Sequence, residues 1–472
     1  MVGVRLERGF GLYETIHAIA LLGAVYCPID PDLPPARVEA MLDDAGVVEV
    51  VVDPDALATD EPYQGEPPGD LDAPAYLLFT SGSTGRPKGV LIGHRAIDNR
   101  LAWMQHHLPL ASGERVLHKT PISFDVSIWE LYWPLQVGGC VVIAPPGAHR
   151  DPRALAELIV TEQVAVLHFV PSMLRAFLGD RPACERVAEA CVRHLVASGE
   201  ALTPDLVAGS LKWFGVAPVN LYGPTEAAVD VTVWDCTAAD AADGHSVPIG
   251  RPIWNTTCFV LDAAQQPTGV GVTGELWLGG VQLADGYRGR PELTDERFVD
   301  TEWGRLYRTG DLAAWRPDGA LRYLGRTDDQ VKIRGQRIEL GEIEAALTAG
   351  LGSPGSAGRA CRDLSDGRAT ELAVGVVESG PSSSRRTPGS PDAALTVWFV
   401  ATPDTADEVR DALRAAAADA LPPSFMPTRW IAVDAIPLTP SGKTDRRALA
   451  EIAARQPAPA ASGTDGEVPR DL

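Results

Sequence analysis

Apolar and polar positions alternate along this chain in two rhythms. Leu12 to Leu22 carries the pattern of a buried helix, Ala24 to Ile29 reads as a short strand, and PIDPDLPPARVEAMLDDAG as a Pro-rich loop opening a second helix. VVEVVVDP is a further β-rich run. The polar, Pro- and Gly-rich stretch TDEPYQGEPPGDLDAP then leads into a strand, YLLFT, at 76–80. The same rhythm continues through RVLHKTPISF, CVVIAPP, VAVLHFVPS and RHLVASGEAL. Strands alternating with helical segments predict an α/β sheet covered on both faces.

After about residue 245 the texture changes to short strands separated by Gly turns (NTTCFVLD, GELWLGG, GRLYRTGDLAAWRPDGALRYLG), which predicts an antiparallel β lobe. Near 328 a third texture begins. A strand (QVKIRG), a helix (LGEIEAALTAG), two strands (LAVGVVES, LTVWFVA) and a helix at 405–420 predict a small α+β domain. Between those two strands lies GPSSSRRTPGSPDAA, and QPAPAASGTDGEVPRDL follows residue 455; both compositions predict disorder.

Composition narrows the function classes. The 472 residues allow two to four domains at roughly 100–200 residues each, and a 45% apolar, 22% charged chain can bury a sizeable core. With 63 acidic against 41 basic side chains the formal net charge is −22, which argues against nucleic-acid or anionic-membrane partners. The seven cysteines include no CxxC pair, so neither a structural zinc site nor a disulfide framework is expected. The apolar stretch from Leu12 to Val25 is too short to span a bilayer, and MVGVRLERGF has none of the organisation of a secretory peptide. A cytoplasmic location is the default expectation.

Five segments carry candidate chemistry. TSGSTGRPKG at 80–89 follows a strand directly and suits a polyphosphate: its small residues let backbone N–H groups approach, its hydroxyls donate, and Lys88 adds a point charge. It is not a Walker loop, because Pro87 stands where glycine should precede the lysine and Gly89 where Ser or Thr should follow. LYGPTEA at 221–227 sets Glu226 just after a Gly-Pro turn, where a carboxylate suits magnesium on a triphosphate. YRTGDLA at 307–313 puts Asp311 on a turn, able to accept from two sugar hydroxyls or to cap backbone N–H groups. GRTDDQVKIRGQRIEL at 325–340 is a charged segment that by itself reads as a solvated interdomain connection. PLTPSGKTDRRAL at 437–449 carries Lys443 on a Gly turn between a strand and a helix, a position that by itself reads as a surface lysine.

In this order, those segments resemble the adenylation domains of nonribosomal peptide synthetases, within the adenylate-forming superfamily of acyl-CoA synthetases and luciferases. The resemblance covers nearly the whole chain and includes LLGAVYCPIDP, FDVSIWELYWPL, NLYGPTEAAVDVT, GELWLGGVQLADGY and LPPSFMP as well. It implies an α/β fold: a large adenylate-forming core of parallel α/β sheets plus a β lobe, at 1–327, a mobile α+β C-terminal subdomain at 328–455, and a disordered tail at 456–472. Relative to the family, a segment preceding the helix at Leu12 is missing. No carrier motif follows residue 450, so a carrier protein is expected in trans or beyond this sequence.

The implied reaction joins an amino acid to ATP, giving an aminoacyl-adenylate and pyrophosphate, and a carrier's phosphopantetheine thiol then takes the aminoacyl group. By the family pattern Thr80, Ser81, Gly82, Ser83, Thr84, Gly85 and Lys88 hold the phosphates and Glu226 the magnesium. Tyr222 stacks near adenine, Asp311 and Arg326 bind ribose hydroxyls, and Gly199, Glu200, Gly223 and Thr225 complete the ATP site. The expected catalytic set is Lys443, Thr80, Lys88 and Glu226, with Lys443 bridging the substrate carboxylate and the adenylate, a role suited to a compact point charge. Asp328 matches the hinge, and Gly335 the loop lining the thiol's tunnel.

The family reads its amino acid at positions that here carry Asp125, Val126, Trp129, His168, Val196, Ser198, Leu221, Val229, Asp230 and Lys443. Asp125 would pair with the ammonium and exclude acids that lack an amine. Trp129 shortens the pocket, while His168, Ser198 and Asp230 offer polar groups to a small side chain. The combination resembles the serine-activating pattern. Two other readings compete: an acyl- or aryl-CoA ligase, and an inactive, truncated domain kept as an interaction module. The segment APPGAHRDPRALAELI lies where MbtH-like activator proteins contact the family, which makes such a protein a candidate partner.

Overall fold

The structure, a computed structural model, describes residues 1–57, 63–65, 69–82, 86–242, 246–328, 330–352, 371–378, 393–402, 404–439 and 444–455. Ser83, Thr84, Gly85 and Lys443 lie outside the described residues. So do the tail at 456–472 and all of the Pro/Ser-rich linker but its last two residues, Ala393 and Ala394, which instead open a strand.

Two α/β sheets form the large unit. In the first, the strands Val2–Val4, Tyr26–Pro28, Glu49–Val51 and Pro74–Thr80 run parallel, while Lys88–Gly93 and Gly286–Tyr287 add antiparallel at one edge. In the second, Cys140–Ile143, Arg115–His118, Val164–Phe169, His194–Ala197 and Pro218–Tyr222 are parallel neighbours in that order, with Thr232–Asp235 and Arg251–Pro252 antiparallel beyond them. Every residue of Val164–Phe169 is buried, as an apolar run in a sheet covered on both faces should be. One face packs on the helices His94–His107 and Ser127–Gln136 and on the first sheet. The other is sealed by Pro152–Thr161, Pro171–Gly179 and Pro204–Trp213.

The predicted β lobe is present. Thr256–Leu261, Gly274–Gly280, Phe298–Thr301, Gly304–Trp315 and Leu321–Arg326 form an antiparallel sheet. A hairpin of Gln330–Ile333 and Gln336–Glu339 follows, then the helix Leu340–Gly352. The strands Leu372–Glu378, Ala393–Val400 and Arg429–Val433 form a three-stranded sheet. The helices Leu340–Gly352 and Ala406–Ala420 cover one of its faces and Arg446–Arg455 the other. The small α+β unit thus has the elements its sequence predicts, except that QVKIRG is one arm of a hairpin rather than an isolated strand.

Among the described residues no helix is long and apolar enough to cross a membrane.

Candidate active site

A parallel sheet turns the loops at the C-terminal ends of its strands toward one crevice, the usual ligand position in such folds. Here the loops following Arg115–His118, Val164–Phe169, His194–Ala197 and Pro218–Tyr222 bring Asp125, Val170, Ser198, Gly199 and Gly223 to one end of the second sheet. The β lobe adds Asp311 and Arg326, and the hairpin at 330–339 closes over them.

A cavity of about 150 Å³ is lined by Thr80, Ser81, Asp125, Val126, Ser198, Val229, Asp230, Asp311 and Arg326, among others. A second, of about 550 Å³, adjoins it and shares Gly199, Gly223, Arg326 and Lys332; Glu200, Leu221, Tyr222 and Asp328 also line it. Residues expected for the amino acid and for ATP therefore meet in two connected spaces.

Asp125 is 6% exposed. Its Oδ2 accepts from the Thr225 hydroxyl at 2.7 Å, and among the described residues no cation forms an ion pair with it. Burial pushes its carboxyl up to about 7; the neighbouring Asp230 adds to the rise, while Thr225 and Lys332 oppose it. Thr225, expected at ATP, is thus placed as a partner of Asp125. Asp230 is different, since Arg100 Nη2 donates to its Oδ2 at 2.7 Å from a fully buried position.

His168 and Trp129 stand behind the cavity wall rather than on it. In the parallel register His168 sits opposite Val196, so both face the same side of the sheet. Its Nε2 lies 3.0 Å from the Ser198 hydroxyl, its Nδ1 is buried without a hydrogen-bond partner among the described residues, and the Trp129 ring stands edge-on at 6.2 Å. Burial, with the Lys119 charge adding, holds the imidazole neutral, well below the usual histidine range. His168 therefore acts on the cavity through Ser198. Val196 is core, and Leu221 faces the larger cavity.

The phosphate segment joins two antiparallel strands that pair with Thr80 opposite Lys88. A Cβ at Gly82 would come within 2.1 Å of the Arg86 carbonyl oxygen, which restricts the position to glycine. The Thr80 hydroxyl is buried with no hydrogen-bond partner among the described residues, a donor free for an oxyanion. Two neighbouring groups are engaged: Ser81 Oγ donates to the Arg337 carbonyl at 2.8 Å, and Gly82 N–H to Glu342 Oε2 at 3.3 Å. Lys88 Nζ lies 3.1 Å from Glu226 Oε1 and 3.2 Å from the Tyr287 hydroxyl. Burial, with Arg337 adding, lowers the Lys88 ammonium to about 8 against the pull of Glu226.

Glu226 is completely buried and highly subscribed. Arg337 Nη1 donates to Oε1 at 3.0 Å and to Oε2 at 2.9 Å, and the Tyr287 hydroxyl to Oε1 at 2.8 Å. Burial opposes ionisation, yet the Arg337 and Lys88 charges prevail and keep the carboxyl well below its ordinary range. The magnesium expected here does not fit this carboxylate as arranged: two cations already hold it and would repel a third.

The ribose pair is likewise self-satisfied. Asp311 accepts from the Tyr222 hydroxyl at 2.5 Å and from Arg326 Nη1 at 2.5 Å, while Arg326 also reaches both oxygens of Asp328 at 2.7 and 2.9 Å. Glu200 holds the backbone N–H groups of Ser172 and Gly335, each at 2.8 Å. Gly199 and Gly335 touch across this contact. A Cβ on Gly335 would meet Val170 at 2.7 Å, and both glycines have positive φ, a requirement other residues meet only with strain.

Sequence reasoning gave no role to Lys332, Arg337, Glu342, Arg37, Tyr287, Arg100 or Glu130. The segment at 325–340 reads as solvated, but Lys332 and Arg337 are paired in register across the hairpin. They therefore share a face, and that face turns inward. Arg337 meets Glu226, Lys332 lies among Asp311, Asp125 and the Tyr222 ring, and Arg37 pairs with Glu342 at 2.6 Å. The period-two spacing of a hairpin was the available signal. Glu130 anchors the loop at 119–125 that delivers Asp125: it accepts from Lys119 N–H at 3.2 Å, Thr120 N–H at 3.0 Å and Thr120 Oγ1 at 2.7 Å.

Residues 1–288 match the family model described as AMP-binding enzyme, and the chain belongs to that family. Within it, the chain is of the nonribosomal peptide synthetase adenylation type, the amino-acid adenylating ligases. It is 43% identical to phosphinothricin tripeptide synthetase PhsB of Streptomyces viridochromogenes, over 99% of this chain and 39% of that protein. Among solved structures, Vibrio cholerae adenylation domain AlmE in complex with glycyl-adenosine-5'-phosphate is 25% identical with a TM-score of 0.78, over 97% of this chain and 89% of that one. A nonribosomal peptide synthetase protein containing adenylation and peptidyl carrier domains, bound to a vinylsulfonamide inhibitor, is 27% identical with a TM-score of 0.78, over 95% and 74%. The chain spans 39% and 35% of the length of the first two curated relatives it matches.

Proposed function

We propose that this chain activates L-serine with ATP and passes it to a carrier protein. The serine carboxylate attacks the α-phosphorus of ATP, an oxygen–phosphorus bond forms, and pyrophosphate leaves with the electrons of the bond that breaks. The phosphopantetheine thiol of a carrier then displaces AMP from the seryl-adenylate. The observation that carries this reading is Asp125, a buried carboxylate on the cavity wall with no ion-pair partner among the described residues. A charge so placed is stable only when a cation joins it, and the ammonium of an amino acid supplies one. An acid without an amine leaves it unpaired.

The serine hydroxyl meets the polar side of the same cavity. Ser198, backed by neutral His168, and Asp230 offer it partners within a space too small for a long side chain. The Thr80 hydroxyl on the adjoining wall, without a hydrogen-bond partner among the described residues, suits a phosphate oxygen. Lys443, beyond the described residues, is assigned the substrate carboxylate. No step here runs through magnesium, because Glu226 is committed to Arg337 and Lys88.

In this reading residues 1–327 form the adenylating core and 328–455 a subdomain that swings about Asp328. The contacts of Arg337, Glu342 and Gly335 with the core belong to one of its poses. The peptidyl carrier partner is carried over from the carrier-containing structure above. An MbtH-like protein docking near the helix Pro152–Thr161, and a cytoplasmic location, complete the proposal; co-purification tests the former.

The test of function is ATP–pyrophosphate exchange across serine, threonine, alanine and salicylate, with and without an MbtH-like protein. Serine-dependent exchange, with threonine a weaker substrate, is expected, since one added methyl typically shifts selectivity only ~10–200-fold. Exchange driven by salicylate, or by alanine as well as by serine, would overturn the assignment.

A further inference from the structure

Two carboxylates, Asp125 and Asp230, face one small cavity, and both are almost wholly buried. Of the two, only Asp230 has a counter-ion among the described residues. Arg100 reaches it from the helix His94–His107, which contributes none of the residues expected to read the amino acid. The guanidinium is 0% exposed and lies over the Trp103 ring, and its Nε and Nη1 have no hydrogen-bond partner among the described residues. A fully desolvated cation with two unsatisfied donors is costly to keep, and what it meets is a wall of the substrate cavity.

The same helix also shapes the backbone that carries Asp230. Ala228 and Val229 both have positive φ, 53° and 79°, a conformation strained for alanine and more so for a β-branched residue. Gln282 Nε2 donates to the carbonyls of Ala227, Ala228 and Asp230, and Asn99, next to Arg100, donates to Gln282 Oε1 at 2.8 Å. Consecutive residues of one helix thus hold the strained loop and its carboxylate.

We infer that Arg100 is a positioning residue for substrate choice: by pairing with Asp230 it divides the two carboxylates into one that reads the hydroxyl and one that reads the ammonium. This rests on the serine reading above. Burial raises the Asp230 carboxyl and the pairing with Arg100 opposes that rise; ionised, Asp230 is an acceptor only and takes the hydrogen of a hydroxymethyl group, while Asp125, with no ion-pair partner among the described residues, takes the ammonium. The charged groups facing Asp230 are Arg100, Asp125 and Lys332. Without Arg100, burial and the neighbouring Asp125 favour a protonated Asp230 that both donates and accepts, and the preference for a hydroxyl weakens.

The test compares kcat/KM for serine and alanine in pyrophosphate exchange, for the wild-type chain and for Arg100→Met, Arg100→Lys, Asp230→Asn and the Arg100→Met/Asp230→Asn double variant. Taking the ratio of two substrates cancels the pH dependence that they share. In Arg100→Met the serine-to-alanine ratio should fall about tenfold at pH 7 and recover as the pH rises; Arg100→Lys should keep it. The double variant, which leaves no orphaned charge and so folds where Arg100→Met does not, should match Asp230→Asn alone. An unchanged ratio in folded Arg100→Met, or a further loss in the double variant, overturns the inference while the serine reading stands. A wild-type chain without serine preference overturns both.

Discussion

Asp125 yields the most exacting prediction. Its carboxyl is held near 7 by burial, whereas it must be ionised to receive an ammonium. With a midpoint of 7, about one molecule in eleven is competent at pH 6 and about ten in eleven at pH 8, a change of about tenfold. At saturating ATP, kcat/KM for the amino acid should rise by about that factor between pH 6 and 8, because this parameter reports groups of the form that meets the amino acid. Serine keeps its ammonium and carboxylate throughout that range, so the limb belongs to the protein. The stability linkage has a definite sign. The folded-state value lies above the ordinary 3.8, so this group's contribution is fully present below 3.8 and is lost as pH rises through about 7. The loss amounts to about 4 kcal/mol at most, and bound amino acid should restore much of it. Exchange at subsaturating serine and thermal unfolding with and without serine measure the two sides. A flat profile between pH 6 and 8, or the same limb in Asp125→Asn, refutes the reasoning.

Further predictions follow from the same site. Glu130→Gln removes a buried carboxylate that three donors share, so it should cost about 3 kcal/mol in denaturant unfolding and raise KM for serine more than it lowers kcat, as the Asp125 loop loosens. His168→Ala, which removes the support of the Ser198 hydroxyl, should lower the serine-to-alanine ratio of kcat/KM about tenfold; an unchanged ratio would show His168 to be structural only. Lys443→Ala should abolish most pyrophosphate exchange yet spare transfer from supplied seryl-adenylate to a carrier, and normal exchange by that variant removes Lys443 from the first step.

Much of the fold could be read from short-range pattern. The β runs of Val164–Phe169 and Gly274–Gly280, the amphipathic helix Ala406–Ala420 and the strand Pro74–Thr80 are local outcomes of periodicity. Motif order then named the family and picked out Asp125, Ser198, Val229 and Asp230, all of which line one cavity. The charged segment at 325–340 shows the limit. Its residues read as solvated, and nothing local to them says that Arg337 will meet a carboxylate 111 positions away.

Residue types and their spacing by themselves determined the elements, because secondary structure and turns are set by neighbours a few positions apart; the class of chemistry and the expected members of the pocket came through the family resemblance that the ordered motifs carry. Which of those members touch the cavity, and which charge compensates which, was decided only by tertiary structure. Lys88 and Glu226 are 138 positions apart, Arg100 and Asp230 130 apart. A buried charge is tolerable only with its partner, so Asp230 is claimed by Arg100, while Asp125 has no ion-pair partner among the described residues.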